Sequence, residues 1–256
     1  MKTDFDTLTE FVDYVVALPG DGSENDSPWA GGHYRDIVRF GREGWPEGAR
    51  KASELATRIV DRLVVSPGAS ESLHYDYDVT GMSFDMGEVL AGTPEAWLAC
   101  KPFDDKKAVH IVANIDASGG IPTDVMVNRG VAVSALALAL QTKGYAVTVD
   151  VVTGASNQRI RVADATSGSQ LDLDRVVFAL GHPGFFRHLT GFAYEGRKFN
   201  LSGGKWGRQH PTEYTGDVRD EANLYIGMVH YSTMDRWNDG GEDWVISEFK
   251  RQTEAV

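Results

Sequence analysis

The sequence predicts an α/β fold in which a central mixed, largely parallel sheet is flanked by helices. The apolar run Ala108–Ile115 is typical of a strand buried on both faces of a parallel sheet. Apolar residues then recur at helical spacing from Val125 to Thr142, and Gly144 follows where a helix C-terminus favours glycine. The run Tyr145–Val152 alternates as a second strand. Together these segments form a βαβ unit, whose crossover is nearly always right-handed.

Further elements are predicted around this unit. A hairpin strand is expected at Arg159–Ala165, a strand or short helix at Asp172–Leu180, and a last strand at Asn223–Tyr231. Amphipathic or apolar patterns predict four more helices, at Thr7–Leu18, Ala49–Leu63, Phe185–Tyr194 and Glu242–Thr253. We predict a helical N-terminal extension, residues 1–65, packed on an α/β core domain, residues 66–256.

Composition restricts the class of protein. The 256 residues include 25 Lys and Arg against 37 Asp and Glu, and the formal net charge of −12 argues against a large basic surface for nucleic acid. The single cysteine, Cys100, allows no intrachain disulfide, which fits a reducing compartment. The first residues, MKTDFDTLTEF, lack the apolar segment of a signal peptide, and no membrane span is expected. These features predict a cytoplasmic protein.

The first candidate site follows the central strand, at Asp116-Ala-Ser-Gly-Gly120. Ligands of open α/β sheets bind outside the carboxyl ends of strands. Oxygen atoms of Asp116, Ser118 and Thr123 could there hold Mg²⁺ or another divalent cation. The alternative is a simple strand-to-helix turn, in which Asp116 or Ser118 caps the next helix.

The second candidate is Asn128-Arg129-Gly130, near the start of the apolar helix. Arg129 and backbone N–H groups there could bind an anion. Alternatively, Gly130 allows close helix packing and Arg129 forms a salt bridge. The sequence contains neither a P-loop nor a dinucleotide-binding glycine pattern after the central strand.

The third candidate is the long polar loop that includes residues 197–208. It interleaves the basic residues Lys198, Lys205 and Arg208 with aromatics such as Trp206. Such a pattern can stack on and neutralise single-stranded nucleic acid. A solvated loop without a ligand is the alternative.

The histidines form a fourth candidate set. His182 and His188 lie with Arg187 in the segment GHPGFFRHLTGF, and His210 and His230 follow in the later chain. A histidine with a nearby carboxylate could act as an acid–base pair. No zinc-binding spacing is present, and ordinary surface or core positions are the alternative.

Several short motifs resemble an uncharacterised family found in tailed bacteriophages and prophages. They span about residues 44–195 and comprise Gly44–Gly48, Val79–Asp85, Leu90–Glu95, Val127–Ala132, His182–Gly184 with Arg187, and Phe192–Glu195. None of them is a catalytic signature. The resemblance implies a phage-type protein and no particular reaction.

The order of elements around Asp116 also resembles a von Willebrand factor A domain. That family holds a divalent cation with a D-x-S-x-S motif, and here Gly120 stands where the motif has its last serine. The resemblance implies a Rossmann-like sheet and a degenerate metal site. The distant ligands of that family are not identifiable in this sequence.

We therefore predict a phage-type, non-enzymatic binding or assembly protein. Protein–protein contacts would be made at the carboxyl end of the central strands, around Asp116, Ser118 and Thr123. One alternative is a metal-dependent hydrolase that uses Asp116 and a histidine such as His182. Another, less favoured, is a single-stranded nucleic-acid binding protein that uses the loop 197–208.

Overall fold

The structure is a computed structural model that describes residues 2–22, 29–64, 75–78, 83–84, 97–100, 108–164, 170–198 and 212–254. These residues contain eight α-helices, a five-stranded sheet and a three-stranded sheet. The strands are β1 Asp4–Phe5, β2 Tyr75–Asp78, β3 Ser83–Phe84, β4 Trp97–Cys100, β5 Ala108–Asn114, β6 Ala146–Thr153, β7 Gln158–Ala163 and β8 Leu224–Ile226. The helices are α1 Leu8–Ala17, α2 Tyr34–Glu43, α3 Pro46–Val64, α4 Thr123–Thr142, α5 Leu173–Gly181, α6 Gly191–Glu195, α7 Asp235–Asn238 and α8 Glu242–Glu254, and a π-helical turn, Phe185–Thr190, leads directly into α6.

The large sheet confirms the predicted α/β fold. Its strand order is β1-β7-β6-β5-β8, in which β5, β6 and β8 are parallel, β7 is antiparallel to β6, and β1 is parallel to β7. The predicted βαβ unit is β5-α4-β6, with β7 as the predicted hairpin strand. The segment Asp172–Leu180, predicted as a strand or a short helix, forms the helix α5.

The last strand is shorter than the sequence predicts. Regular pairing ends at Ile226, and one isolated bridge between Ala117 and Val229 follows. Between them the Met228 N–H turns to the side chain of Glu213, at 3.3 Å. The chain therefore leaves the β ladder for two residues at the carboxyl end of the sheet.

Alternating side chains divide the sheet into two faces. On β5, Ile111 and Ala113 join the main core, which also holds the apolar side chains of the helices. Val112 faces the other way and packs with Val152 and Tyr214 in a small second cluster. The helices thus share one core on one face of the sheet, as strand alternation requires.

A buried carboxylate crosslinks three strands on the second face. Asp150 of β6 is fully buried and accepts hydrogen bonds from His110 of β5 and from Arg159 and Arg161 of β7. Burial alone would raise the pKa of Asp150, but these donors and their charges outweigh it and lower that pKa. The ion cluster therefore pairs the buried charge of Asp150 with side chains of the strands on both sides of β6.

Helix α4 is the central helix of the core. It packs against α3, α5 and α8 as well as the sheet. By length and composition alone it could cross a membrane, and it is the one such helix among the described residues, although the sequence led us to expect none. In the fold, 72% of its most apolar window is buried, which is typical of a core helix.

The N-terminal residues complete the main sheet and core. β1 pairs with β7 through Asp4 and Phe5, and Thr7 caps α1 by accepting the Glu10 N–H at 3.1 Å. Apolar side chains of α1 to α3 belong to the same core as the sheet. The predicted division at residue 65 stays a prediction, since that residue lies outside the described ranges.

The tightest helix contact joins α4 to α5 through two glycines. A Cβ placed on Gly130 would lie 2.1 Å from the Cα atom of Gly181, and one on Gly181 would lie 2.9 Å from the Cα atom of Gly130. Backbone atoms cannot move aside as a side chain can. This contact confirms the alternative that Gly130 serves close helix packing.

We expect Gly130→Ala to lower the free energy of unfolding by at least ~2 kcal/mol, because the methyl group overpacks the backbone contact. Urea denaturation would measure the loss. Gly119→Ala is the matched control, since a Cβ at Gly119 meets nothing within 4 Å. Equal stability of the two variants would contradict the helix contact.

Candidate functional site

The candidate site lies where the strand connections change direction. From β5 the chain crosses over α4 to β6 on one side, whereas β8 lies on the other side of β5. In open α/β sheets, ligands bind at such a switch point, outside the carboxyl ends of the strands. The relevant segments are therefore the loop after β5, which contains Asp116, and the turn after β8, which contains Val229.

Asp116 ties four segments together at this edge. Its N–H donates to Asn114 Oδ1 at 3.0 Å, and its carbonyl oxygen accepts the Val229 N–H at 2.9 Å. Its carboxylate Oδ2 accepts the N–H groups of Ala155, at 2.9 Å, and Thr212, at 3.3 Å. The carboxylate therefore holds the turn after β6 and the segment at residue 212, and the Asp116 backbone holds the turn after β8.

Burial raises the pKa of Asp116 to about 6. The backbone N–H donors from Ala155, Thr212 and Gly154 act in the opposite direction, and the negative charge of Glu213 adds to the rise. The carboxyl group therefore changes charge in a pH range where an exposed aspartate is already ionised.

Arg129 lies under the same strand ends and is 3% exposed. Its Nη2 donates to the carbonyl oxygens of Asn114 at 2.6 Å, Gly227 at 2.9 Å and Ile226 at 3.3 Å. Burial lowers its pKa to about 10, so the guanidinium stays charged at neutral pH. Among the described residues, Arg129 therefore hydrogen-bonds to carbonyl oxygens at the strand ends, rather than to a carboxylate as in the salt bridge that the sequence suggested.

Arg187 is a second buried arginine, on the π-helical turn. It donates to the carbonyl oxygens of Ile121, at 3.0 Å, and Trp29, and to Thr123 Oγ1 at 3.2 Å. Its guanidinium carbon also lies 4.3 Å from the ring centroid of Trp29. Burial lowers the pKa of Arg187 to about 10, which leaves it charged. Arg187 thus fixes Trp29 against the start of α4.

Two exposed aromatic residues flank the loop after β5. Trp29 and Tyr231 are 38% and 52% exposed, and they are the large hydrophobic residues exposed in the described part of the chain. Trp29 Nε1 donates to the Gly119 carbonyl at 3.3 Å. A Cβ on Gly120 would lie 2.2 Å from the Tyr231 hydroxyl oxygen. We call these four residues, Trp29, Gly119, Gly120 and Tyr231, the aromatic rim.

A family model for a domain of unknown function, DUF7192, matches residues 1–254. The chain belongs to the DUF7192 family. No curated protein and no solved structure matches the chain. The family model assigns no activity, so the function of this DUF7192 chain is argued from its own geometry.

The predicted metal ligands belong to separate networks. The Asp116 carboxylate binds backbone N–H groups, and the Thr123 hydroxyl accepts from Arg187. Ser118 is partly buried, and its carbonyl oxygen accepts the Ile121 N–H at 2.9 Å. Within the described ranges, no group of three or more His, Cys, Asp or Glu side chains is arranged to hold a metal. Binding of Mg²⁺ at Asp116 stays a prediction without supporting geometry.

The predicted basic–aromatic loop is described only at its start. Lys198 Nζ donates to the Val16 carbonyl oxygen at 2.8 Å, and the Lys198 N–H donates to the Pro19 carbonyl oxygen. Lys198 therefore joins the end of α1 to the chain after α6. Lys205, Trp206 and Arg208 lie outside the described residues, and nucleic-acid binding stays a prediction.

The predicted acid–base histidines are distributed over different environments. His182 is buried against Trp45 and Phe178, and burial lowers its pKa to about 4. His230 is exposed in the turn after β8, where its Nδ1 accepts the Ser232 N–H at 3.3 Å. Among the described contacts, none joins a histidine to Asp116. The hydrolase alternative stays a prediction, and His210 lies outside the described residues.

Sequence reasoning missed Trp29 and Tyr231. Trp29 is an isolated aromatic in a polar segment, and Tyr231 was assigned to the end of the predicted strand Asn223–Tyr231, so neither was singled out as a surface residue. Arg187 was singled out only as a neighbour of two histidines. The two glycines in the loop after β5 indicate that side chains from other segments can approach this loop. They do not indicate which side chains do so.

We expect Asp116 to give a distinct pH dependence of stability. Its folded carboxyl holds a proton up to about pH 6, whereas the unfolded one releases it near pH 4. The folded state therefore binds more protons in this window, and the free energy of unfolding falls as pH rises through it. Relative to Asp116→Asn, the wild type should lose about 3 kcal/mol between pH 4 and pH 7.

Urea denaturation of both proteins at several pH values would measure this difference. Asp124→Asn serves as the matched control, because it neutralises an exposed carboxylate in the first turn of α4. A constant difference between wild type and Asp116→Asn across the pH range would contradict the assigned environment of Asp116.

Proposed function

We propose that the chain is a non-enzymatic binding protein that captures a protein partner through the aromatic rim. The observation that supports this proposal is that the two large aromatic residues exposed among the described residues, Trp29 and Tyr231, flank one loop at the switch point of the sheet. Scattered exposed apolar residues need no explanation, but two on the same ligand-binding edge favour a contact surface.

The chemistry of the rim suits a protein interface. Tryptophan and tyrosine are enriched among the residues that contribute most to binding free energy at interfaces. Each presents a large ring for apolar contact and one polar group that can hydrogen-bond when the ring is buried. Gly119 and Gly120 carry no side chain that would hold a partner away from the two rings.

The rim is also supported from beneath. Arg187 contacts the ring and the carbonyl oxygen of Trp29, and the same guanidinium donates to Ile121 and Thr123. A side chain that is already ordered loses less entropy on binding than a mobile one. Arg187 thus supports the proposal as a positioning residue, because it is itself buried and would not touch the partner.

The proposed contact surface is the one that the sequence indicated, at the carboxyl end of the central strands. The residues that would contact the partner are now Trp29 and Tyr231. Asp116 and Thr123 would shape this surface from inside. A role in phage assembly is proposed from the sequence motifs alone, and the geometry adds nothing to it.

We expect a photo-cross-linking amino acid in place of Tyr231 to trap a defined partner protein in the producing cells. The same amino acid in place of Arg50, on the exposed side of α3, is the matched control, since α3 carries none of the rim. With the trapped partner purified, Trp29→Ala and Tyr231→Ala should each weaken binding about 30-fold, as removal of an interface hot spot of ~2 kcal/mol does.

Arg50→Ala should leave the affinity unchanged, because an exposed ion pair contributes little. The assignment of the surface fails if positions 231 and 50 trap the same proteins. It also fails if the affinity for the trapped partner does not respond to either aromatic substitution.

A further inference from the structure

A small pocket lies inside the switch point, between the strand ends and two helices. Its lining includes Ile115 and Val229 after β5 and β8, Met126 and Arg129 of α4, and His182 and Phe186 next to α5. It has room for about one water-sized particle. The pocket is distinct from the aromatic rim, since neither Trp29 nor Tyr231 lines it.

The polar side chains that line the pocket supply hydrogen-bond donors. Arg129 Nη2 is used on three carbonyls, but its buried Nε–H has no hydrogen-bond partner among the described residues. His182 Nδ1 accepts the Gly184 N–H at 3.1 Å, so the hydrogen of the neutral ring is on Nε2. None of the described side chains in the lining is a carboxylate or another strong acceptor.

The charge of Arg129 has no directly paired carboxylate among its described hydrogen bonds. Asp116 and Glu213 influence that charge through space. However, the Asp116 carboxylate binds the N–H groups of Ala155 and Thr212, and the Glu213 carboxylate binds Tyr225 and Met228. A buried charge without a paired counter-ion is costly, and a counter-ion in the pocket would offset that cost.

We propose that this pocket binds a halide-sized anion, chloride in the cell, between the Nε–H of Arg129 and the ring N–H of His182. The pocket thus has a positive charge and two hydrogen-bond donors, one of them unused, around a space for one particle. This combination is typical of an anion-binding site. A water molecule would also accept from these donors, but it would not supply the negative charge that offsets the charge of Arg129. The flexible side chain of Met126 can adapt to the larger radius of chloride.

The direct test is a crystal of the wild-type chain soaked in bromide, with anomalous diffraction measured at the bromine edge. We expect an anomalous peak in the pocket, within hydrogen-bond distance of Arg129 Nε. Density in the pocket without anomalous signal would identify water, and would overturn the proposal, as would an empty pocket.

A second test measures the melting temperature as bromide replaces gluconate at constant ionic strength. An anion that binds only the folded chain raises the melting temperature with its concentration. Val229→Ile adds a methyl group to the pocket and keeps Arg129 and His182, so it should fold and lose this response.

Val38→Ile makes the same change on α2, outside the pocket, and should respond as the wild type does. If the wild type does not respond, or if Val229→Ile responds equally, the proposed site is wrong. Because neither variant alters the rim, this outcome is independent of the protein-binding proposal.

Discussion

The carboxyl end of the sheet depends on one buried cation. Arg129 donates to the carbonyl oxygens of Asn114 and Ile226, the last residues of β5 and β8, and to that of Gly227, directly after β8. Strand ends leave such carbonyls without ladder partners, and burying them unsatisfied is costly. A guanidinium is suited to this task because it carries several donors in one plane and keeps its charge when buried.

Two buried arginines therefore organise two layers of the same edge. Arg129 holds the strand ends, and Arg187 holds the start of α4 against Trp29. The exposed ring of Trp29 thus lies on a buried, hydrogen-bonded guanidinium. Asp116 adds the connection to the turn after β6, so that the loops after all three parallel strands are fixed to each other.

Much of the fold could be predicted from the sequence, because it follows from local patterns. The apolar run that became β5 and the helical spacing that became α4 identified the βαβ unit and its neighbours. The candidate site was predictable only as a location, the carboxyl end of the central strands. Its chemistry depends on contacts between residues far apart in sequence, such as the bond from Trp29 to Gly119, 90 residues later.

The chemical role of each group in the site could not be predicted from the sequence either. Asp116 in a turn is typical both of a metal ligand and of a structural acceptor, and its burial, which local sequence does not reveal, sets its properties. The same holds for Arg129, whose partners are backbone atoms that carry no signature in the sequence. Every residue has a backbone carbonyl group. A pattern of residue types therefore cannot indicate which carbonyl oxygen accepts a given hydrogen bond.

The position of β8 has a consequence for synthesis of the chain. β5 is an inner strand of the finished sheet, but its partner on one side, β8, is completed only at Ile226. While the ribosome adds the intervening residues, β5 and its apolar side chains present an open edge, to which a strand of another chain can pair. A low concentration of nascent chains limits such association, so the yield of folded chain should fall as expression is driven faster.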